Sequence, residues 1–476
     1  MNFNSIEYGL FLPIVFLIYW LIPHKWRIFL LFVSSYFFYM CWNVKYILII
    51  FATTIISYFC ALIIKRSING LWRKMAMAVC LISCLGALFF FKYFQFAQDT
   101  LSGLLGLFSV HIHSVSLKVL LPVGISFYTF QTLSYVIDIY RGNIDPEYSF
   151  LTYATYVSFF PQLVAGPIER PQNLLPQIKC EKQFDYQKAV YGMMQMAWGF
   201  YKKMVVADNC APFVDQIYSN VHICTSFDLL LGVFLFTIQI YCDFSGYSDI
   251  AIGTAKLFGI DLMKNFDSPY FSISIRDFWK RWHISLSSWF KDYVYIPLGG
   301  NRCSKVRKCF NLLVTFLVSG LWHGANWTFI VWGGLHGVAQ IFETIMRNPL
   351  ELVKRKKWGR FLCGCIVFVF CSFAWVFFRA ESINDAIYVL AHSLSGIEKP
   401  MTYLVTHIGI KTSEIVTIAF CVAILGVHDY LSINTDIFNW IGKRKPLFRY
   451  IYYFVILILI LLFRSSGRAE FVYFQF

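Results

Sequence analysis

The chain has 476 residues, of which 58% are hydrophobic, 20% aromatic and only 14% charged, with a mean hydropathy of +0.59. Too few polar side chains are available to coat a soluble globule of this length, so a water-soluble class is excluded. The formal charge of +15 does not point to nucleic acid, because the basic residues sit in short loops rather than on an arm or a recognition motif.

A spanning helix needs roughly 20 apolar residues. In chain order, apolar runs centre on residues 7–22, 27–41, 45–64, 75–93, 118–138, 148–165, 187–206, 227–243, 311–322, 326–345, 360–378, 413–430 and 449–464. Residues 245–260, 284–298 and 385–397 are shorter or more broken. The expectation is an all-α polytopic membrane protein with about 11 to 13 crossings plus re-entrant or interfacial pieces. No polar stretch is large enough for an independent domain, so residues 1–464 read as a single transmembrane domain with a motif-rich core at about 118–345. The first run lacks a small-residue cleavage site and more spans follow at once, which argues against a removable signal peptide. The basic loops 24–27, 65–74, 302–308, 354–360 and 442–449 are expected to face the cytoplasm, leaving both chain ends outside. The fourteen cysteines show no metal-ligand spacing; "CLISC" and "CGC" lie in apolar runs, where cysteine serves as a small core residue.

Polar residues that a passive bundle would avoid collect in the middle of the chain. They fall in "LPVGISFYTFQTLSYVIDIYRG" (121–142), "FFPQLVAGPIERPQ" (159–172), "YCDFSGYSDIAIG" (241–253), "RDFWKRWHISLSSWFKDYVYIPLGGNR" (276–302) and "SGLWHGANWTFIVWGGLHG" (319–337). If Arg276 to Lys291 is one helix, Phe278, Trp282, Leu286 and Trp289 share one side. Arg276, Lys280, His283, Ser287 and Lys291 share another. Such a basic amphipathic helix either lies at the interface, its lysines reaching lipid headgroups, or lines a passage for an anionic ligand such as the phosphates of coenzyme A.

His323 lies between Gly320 and Gly324 with Trp322 and Trp327 close in sequence. A histidine among aromatics is often only a core residue, yet a neutral imidazole in a dry pocket can take a proton from an alcohol. His336 follows 13 residues later; on a straight helix it would be turned by roughly 220° and displaced by about 20 Å, which disfavours a dyad and reads as structural. The tail "EFVYFQF" (470–476) follows the last span through "SSGR". Its aromatics could form an interfacial belt, or fold back from the outer surface by apolar burial. Tyr473 carries the one nucleophilic side-chain oxygen in that tail's aromatic run.

These five stretches, in this order, resemble the membrane-bound O-acyltransferases, and in particular the bacterial branch similar to alginate O-acetyltransferases. The resemblance covers most of the chain. It implies a helical bundle around a tunnel and a cytoplasmic acyl-CoA, acetyl-CoA here, as donor substrate, with no permanently bound cofactor and no metal. It carries the family's Trp-His-Gly histidine onto His323 and its second motif histidine onto His283. Arg276, Lys280 and Lys291 become candidates for the donor's phosphates. Tyr473 becomes a candidate acyl relay towards an exported, esterase-like SGNH-type partner and an extracellular polysaccharide, at a bacterial cell membrane. Transfer of D-alanine from a carrier-protein thioester to teichoic acid is the enzymatic alternative. A transporter or channel is the non-enzymatic one, against which the absence of an internal repeat argues. No Gly-x-Ser-x-Gly elbow, Walker loop or dinucleotide fingerprint competes in the sequence.

Overall fold

A computed structural model describes residues 1–110, 121–164, 166–395, 411–465 and 471–472. Every regular element among the described residues is helical. Among the described residues, six helices are long and apolar enough to cross a membrane: Val44–Arg66, Gly70–Gly106, Ser226–Leu257, Lys357–Arg379, Ser413–Ser432 and Pro446–Phe463. A seventh crossing arises if Trp327–Ile345 is taken with Arg347–Lys354, to which it is bent by 81°. Shorter helices, among them Ile6–Leu21 and His24–Met40, fill the remaining apolar runs. The expected runs 227–243 and 245–260 form parts of one 32-residue helix, Ser226–Leu257. The expected run 148–165 is instead broken into Phe150–Ser158 and Phe160–Leu163, with Pro161 unable to donate to a continuous ladder.

The chain forms two compact units. The first comprises Met1–Gly192 with Thr254–Met263. Its helices start on side-chain caps, Ser5 Oγ accepting from Tyr8 N and Asn69 Oδ1 from Leu71 N, and the first ends before Pro23. Helix Ile125–Tyr140 is buried on almost every side, so its polar residues must find partners inside. Gln131 donates to the Tyr156 carbonyl at 2.7 Å, and Thr132 Oγ1 donates to the Tyr128 carbonyl at 2.9 Å. Glu169, from the "GPIERP" stretch, accepts from Asn173 Nδ2 at 2.7 Å and from Met263 N at 2.5 Å. That carboxylate fastens the returning Thr254–Met263 segment within this unit.

The second unit comprises Met193–Gly253 with Lys264–Phe476. Helices Lys305–His323 and Trp327–Ile345 run antiparallel through the turn at Gly324–Asn326. A methyl group on Gly333 would lie 2.3 Å from the Phe316 carbonyl oxygen and 3.1 Å from Gly320 Cα. Only glycine permits that approach, which brings the two backbones into direct contact.

Candidate active site

The second unit contains the histidines, and the backbone explains how they come inward. Ser274 caps helix Ile275–Arg281 by accepting from Asp277 N at 3.0 Å, with Asp277 in the first turn and Lys280 and Arg281 in the last. The helix then stops: Trp282 is extended and His283 takes a left-handed conformation, φ 43° and ψ 55°, before Ile284–Phe290 begins. The single helix expected from Arg276 to Lys291 is therefore not formed. Its missing backbone bonds are replaced from segment Asn265–Asp267, where Asp267 N donates to the Arg281 carbonyl and Ile284 N to the Asn265 carbonyl, both at 2.9 Å.

The break removes His283 from the basic face on which the helical spacing set it. Its side chain is fully buried, whereas Arg276, Lys280 and Lys291 remain exposed. Asn265 Oδ1 lies 3.1 Å from His283 Nδ1 and also accepts from Ser285 Oγ at 2.9 Å and Ser285 N at 3.3 Å. Asn265 Nδ2 donates to Ser248 Oγ at 3.0 Å. With the amide oriented by that set, Nδ1 carries the proton and Nε2 the lone pair. Burial lowers the imidazole from its ordinary value to about 3, so it is neutral at physiological pH.

His323 terminates helix Lys305–His323 at 3% exposure. Its ring centroid lies 4.9 Å from Trp322, 5.0 Å from Trp332, 5.4 Å from Phe378 and 6.5 Å from His283. The two motif histidines, 40 positions apart in the sequence, are thus near neighbours. The straight-helix construction relating His323 to His336 fails, because the chain reverses between them. His336 sits on the opposite arm of the hairpin, 5.1 Å from the same Trp332, and its Nδ1 accepts from Trp279 Nε1 at 3.2 Å.

A cavity of about 560 Å³ is lined by residues from the elements that flank the two histidines. Arg276, Lys280, Lys291, Lys308 and Arg347 line it, together with Trp279, Phe316, Ile284 and Ser319. Ile284 directly follows His283 and Ser319 stands one turn before His323. The size falls in the range of small-molecule sites, and the charge favours an anionic group near an apolar wall. Three participants escaped the sequence reading. Lys308 lies among the loop charges of 302–308, Arg347 stands at the 81° bend, and Asn265 belongs to none of the quoted stretches.

Tyr473 lies outside the described residues. The two residues before it are deeply buried, Phe471 at 1% and Val472 at 2% exposure. The Phe471 ring is 4.4 Å from Tyr247 and 6.0 Å from Phe244, and Phe244 stands edge-on to His283 at 4.5 Å.

Comparison with known proteins fits this arrangement. The model of MBOAT, the membrane-bound O-acyltransferase family, matches residues 16–383. The chain is 38% identical over 382 residues to a protein of Azotobacter vinelandii named "Probable alginate O-acetylase AlgI", covering 79% of this chain and 74% of that one. A Pseudomonas putida protein of the same name is 34% identical over 487 residues, 98% of each chain. The peptidoglycan O-acetyltransferase of Helicobacter pylori is 36% identical over 417 residues, 80% of this chain and 77% of the relative. This chain therefore belongs to the membrane-bound O-acyltransferase family and is a multi-pass membrane O-acyltransferase.

Proposed function

We propose that the enzyme takes an acetyl group from acetyl-CoA on the cytoplasmic side of a bacterial inner membrane and delivers it for O-acetylation of an extracellular polysaccharide. The observation that carries this reading is a basic cavity whose lining includes Ile284, next in sequence to the buried His283, and Ser319, one turn before the buried His323. Arg276, Lys280, Lys291, Lys308 and Arg347 suit the phosphates of a nucleotide-bearing thioester, and the Trp279, Phe316 and Ile284 side suits its less polar arm. The names of the alginate and peptidoglycan relatives support a polysaccharide as the final acceptor.

In the reaction an acceptor hydroxyl attacks the thioester carbonyl while His323 takes the hydroxyl proton. The tetrahedral intermediate collapses, the carbon–sulfur bond breaks, and the departing thiolate recovers the proton from the imidazolium. General-base assistance of this kind is worth about 10²–10⁴-fold. His283, held in one tautomer by Asn265, is the second proton-handling or positioning group. Tyr473 is the first acceptor, its phenol forming an ester that an exported SGNH-type partner then takes to the polymer.

His323→Ala tests the reading in membranes. The variant is expected to insert at wild-type level and to lose O-acetylation of the cell's polymer, and His283→Gln to lower turnover strongly. Near-normal acetylation by a stably expressed His323→Ala protein would overturn the proposal.

A further inference from the structure

Lys202 and Lys203 are neighbours in sequence, yet both are buried, at 4% and 1% exposure. The π-helical turn Tyr201–Ala207 sets them inward, and such turns recur at functional positions. Close packing brings them to helix Ser226–Leu257: a methyl group on Gly246 would lie 2.8 Å from the Gly199 carbonyl oxygen. Lys202 pairs with Asp249 and donates to Ser245 Oγ at 3.0 Å. Lys203 Nζ lies 2.8 Å from Asp208 Oδ1 and 2.6 Å from Asp243 Oδ1. Asp208 and Asp243 are themselves almost fully buried, so one ammonium faces two interior carboxylates. That surplus of negative charge is costly unless further donors meet it.

The other oxygen of Asp243 meets such a donor. Val472 N–H donates to Asp243 Oδ2 at 2.7 Å, although the two residues are 229 positions apart. Next to that bond, the Phe471 ring packs between Tyr247 and Phe244. Asp243, Phe244 and Tyr247 occupy the inward side of one helix and present a carboxylate flanked by two aromatic faces.

We infer that Asp243, held in place by Lys203 and Asp208, forms with Phe244 and Tyr247 a socket that docks the chain's own C-terminal segment. It holds the segment by one backbone N–H and by the ring of Phe471. The ligand class is an apolar, aromatic C-terminal segment, recognised through main chain at residue 472 and side chain at residue 471. Docking fixes the tail one residue before Tyr473, against the phenylalanine that also contacts His283. The socket stands independently of the acetyl relay, while its importance for transfer rests on that proposed reading.

The test uses the full chain in detergent or nanodiscs, digested from the C-terminus with carboxypeptidase Y and followed by mass spectrometry. In the wild type, trimming is expected to stall before Val472. Asp243→Leu leaves Lys203 with one carboxylate, a balanced pair, and is expected to let trimming run into residues 465–470 at least tenfold faster. Phe471→Ala leaves the ion network untouched and is expected to do the same, so it decides the matter if Asp243→Leu fails to fold. Equal trimming of wild type and both folded variants, or of wild type and Phe471→Ala alone in that case, overturns the socket. Faster trimming with wild-type acetyl transfer upholds the socket and overturns its importance for transfer, while loss of transfer in Tyr473→Phe reads the relay separately.

Discussion

Replacing Asn265 by aspartate isolates the role of the His283 tautomer, because the two side chains have the same shape. Aspartate keeps the oxygen 3.1 Å from Nδ1 and the acceptor for Ser285, and the Ser248 hydroxyl can turn to donate in place of accepting. What changes is charge. A carboxylate within ~4–6 Å raises a histidine by about one to three pK units, so a group that burial holds at about 3 moves up towards the window between pH 4 and 6. An imidazole acts as a base only when unprotonated, and activity therefore falls as pH falls through its pKa. His283 in the wild type contributes no acid limb between pH 5 and 8. In Asn265→Asp an apparent pKa near the upper end of that window removes about nine-tenths of the rate at pH 5 with little loss at pH 7.5. Acetyl transfer from radiolabelled acetyl-CoA, measured from pH 8 down to 5 with kcat and KM separated, reads the effect. Asn265→Leu deletes the acceptor and frees the ring to change tautomer, with an expected ten- to hundredfold loss of kcat at unchanged KM. Superimposable pH profiles for wild type and Asn265→Asp, together with wild-type kcat in Asn265→Leu, would refute the assignment.

Three further outcomes are expected. Lys280→Ala and Lys291→Ala should each raise KM for acetyl-CoA several-fold at low salt and much less at high ionic strength, with kcat nearly constant; salt-independent kinetics would assign both lysines to lipid. Gly333→Ala should lower thermal stability in detergent by about 1–3 kcal/mol or more, since its methyl would sit 2.3 Å from a carbonyl oxygen; an unchanged melting temperature would contradict the packing. Tyr473→Phe keeps the apolar ring and deletes only the phenol oxygen, and it should abolish polymer acetylation at equal protein level, whereas a residue of an aromatic belt would tolerate it.

Much of this was legible in the sequence, for a physical reason: in a membrane, composition alone fixes which segments are helical. The runs that became Val44–Arg66, Lys357–Arg379 and Pro446–Phe463 announce themselves by length and apolarity. The glycines around His323 announced a close approach, and Gly320 does meet the facing helix. The break at His283 did not announce itself. Residues 276–291 carry a sound helical period, and what interrupts it is hydrogen bonding from Asn265–Asp267, a tertiary partner that no periodicity within the segment can reveal. The neighbourhood of His323 and His283 was hidden for the same reason, since it depends on a hairpin and a kink rather than on spacing. Asn265 escaped because a single asparagine in a polar loop has many ordinary explanations, and only its four hydrogen-bond partners distinguish it.

The contact between Gly320 and Gly333 also bears on how the hairpin would respond to the proposed donor. With no clearance for even a methyl group, the two arms interlock at that contact, which resists one arm sliding past the other. His323 ends one arm, and the other continues for 19 residues, about 28 Å, to the bend at Arg347. If the proposed donor grips Arg347, it does so just beyond the far end of the arm that carries Trp332 and His336. On the proposed reading, the hairpin would be formed before the donor binds, and anionic contacts near Arg347 would add affinity without reshaping it.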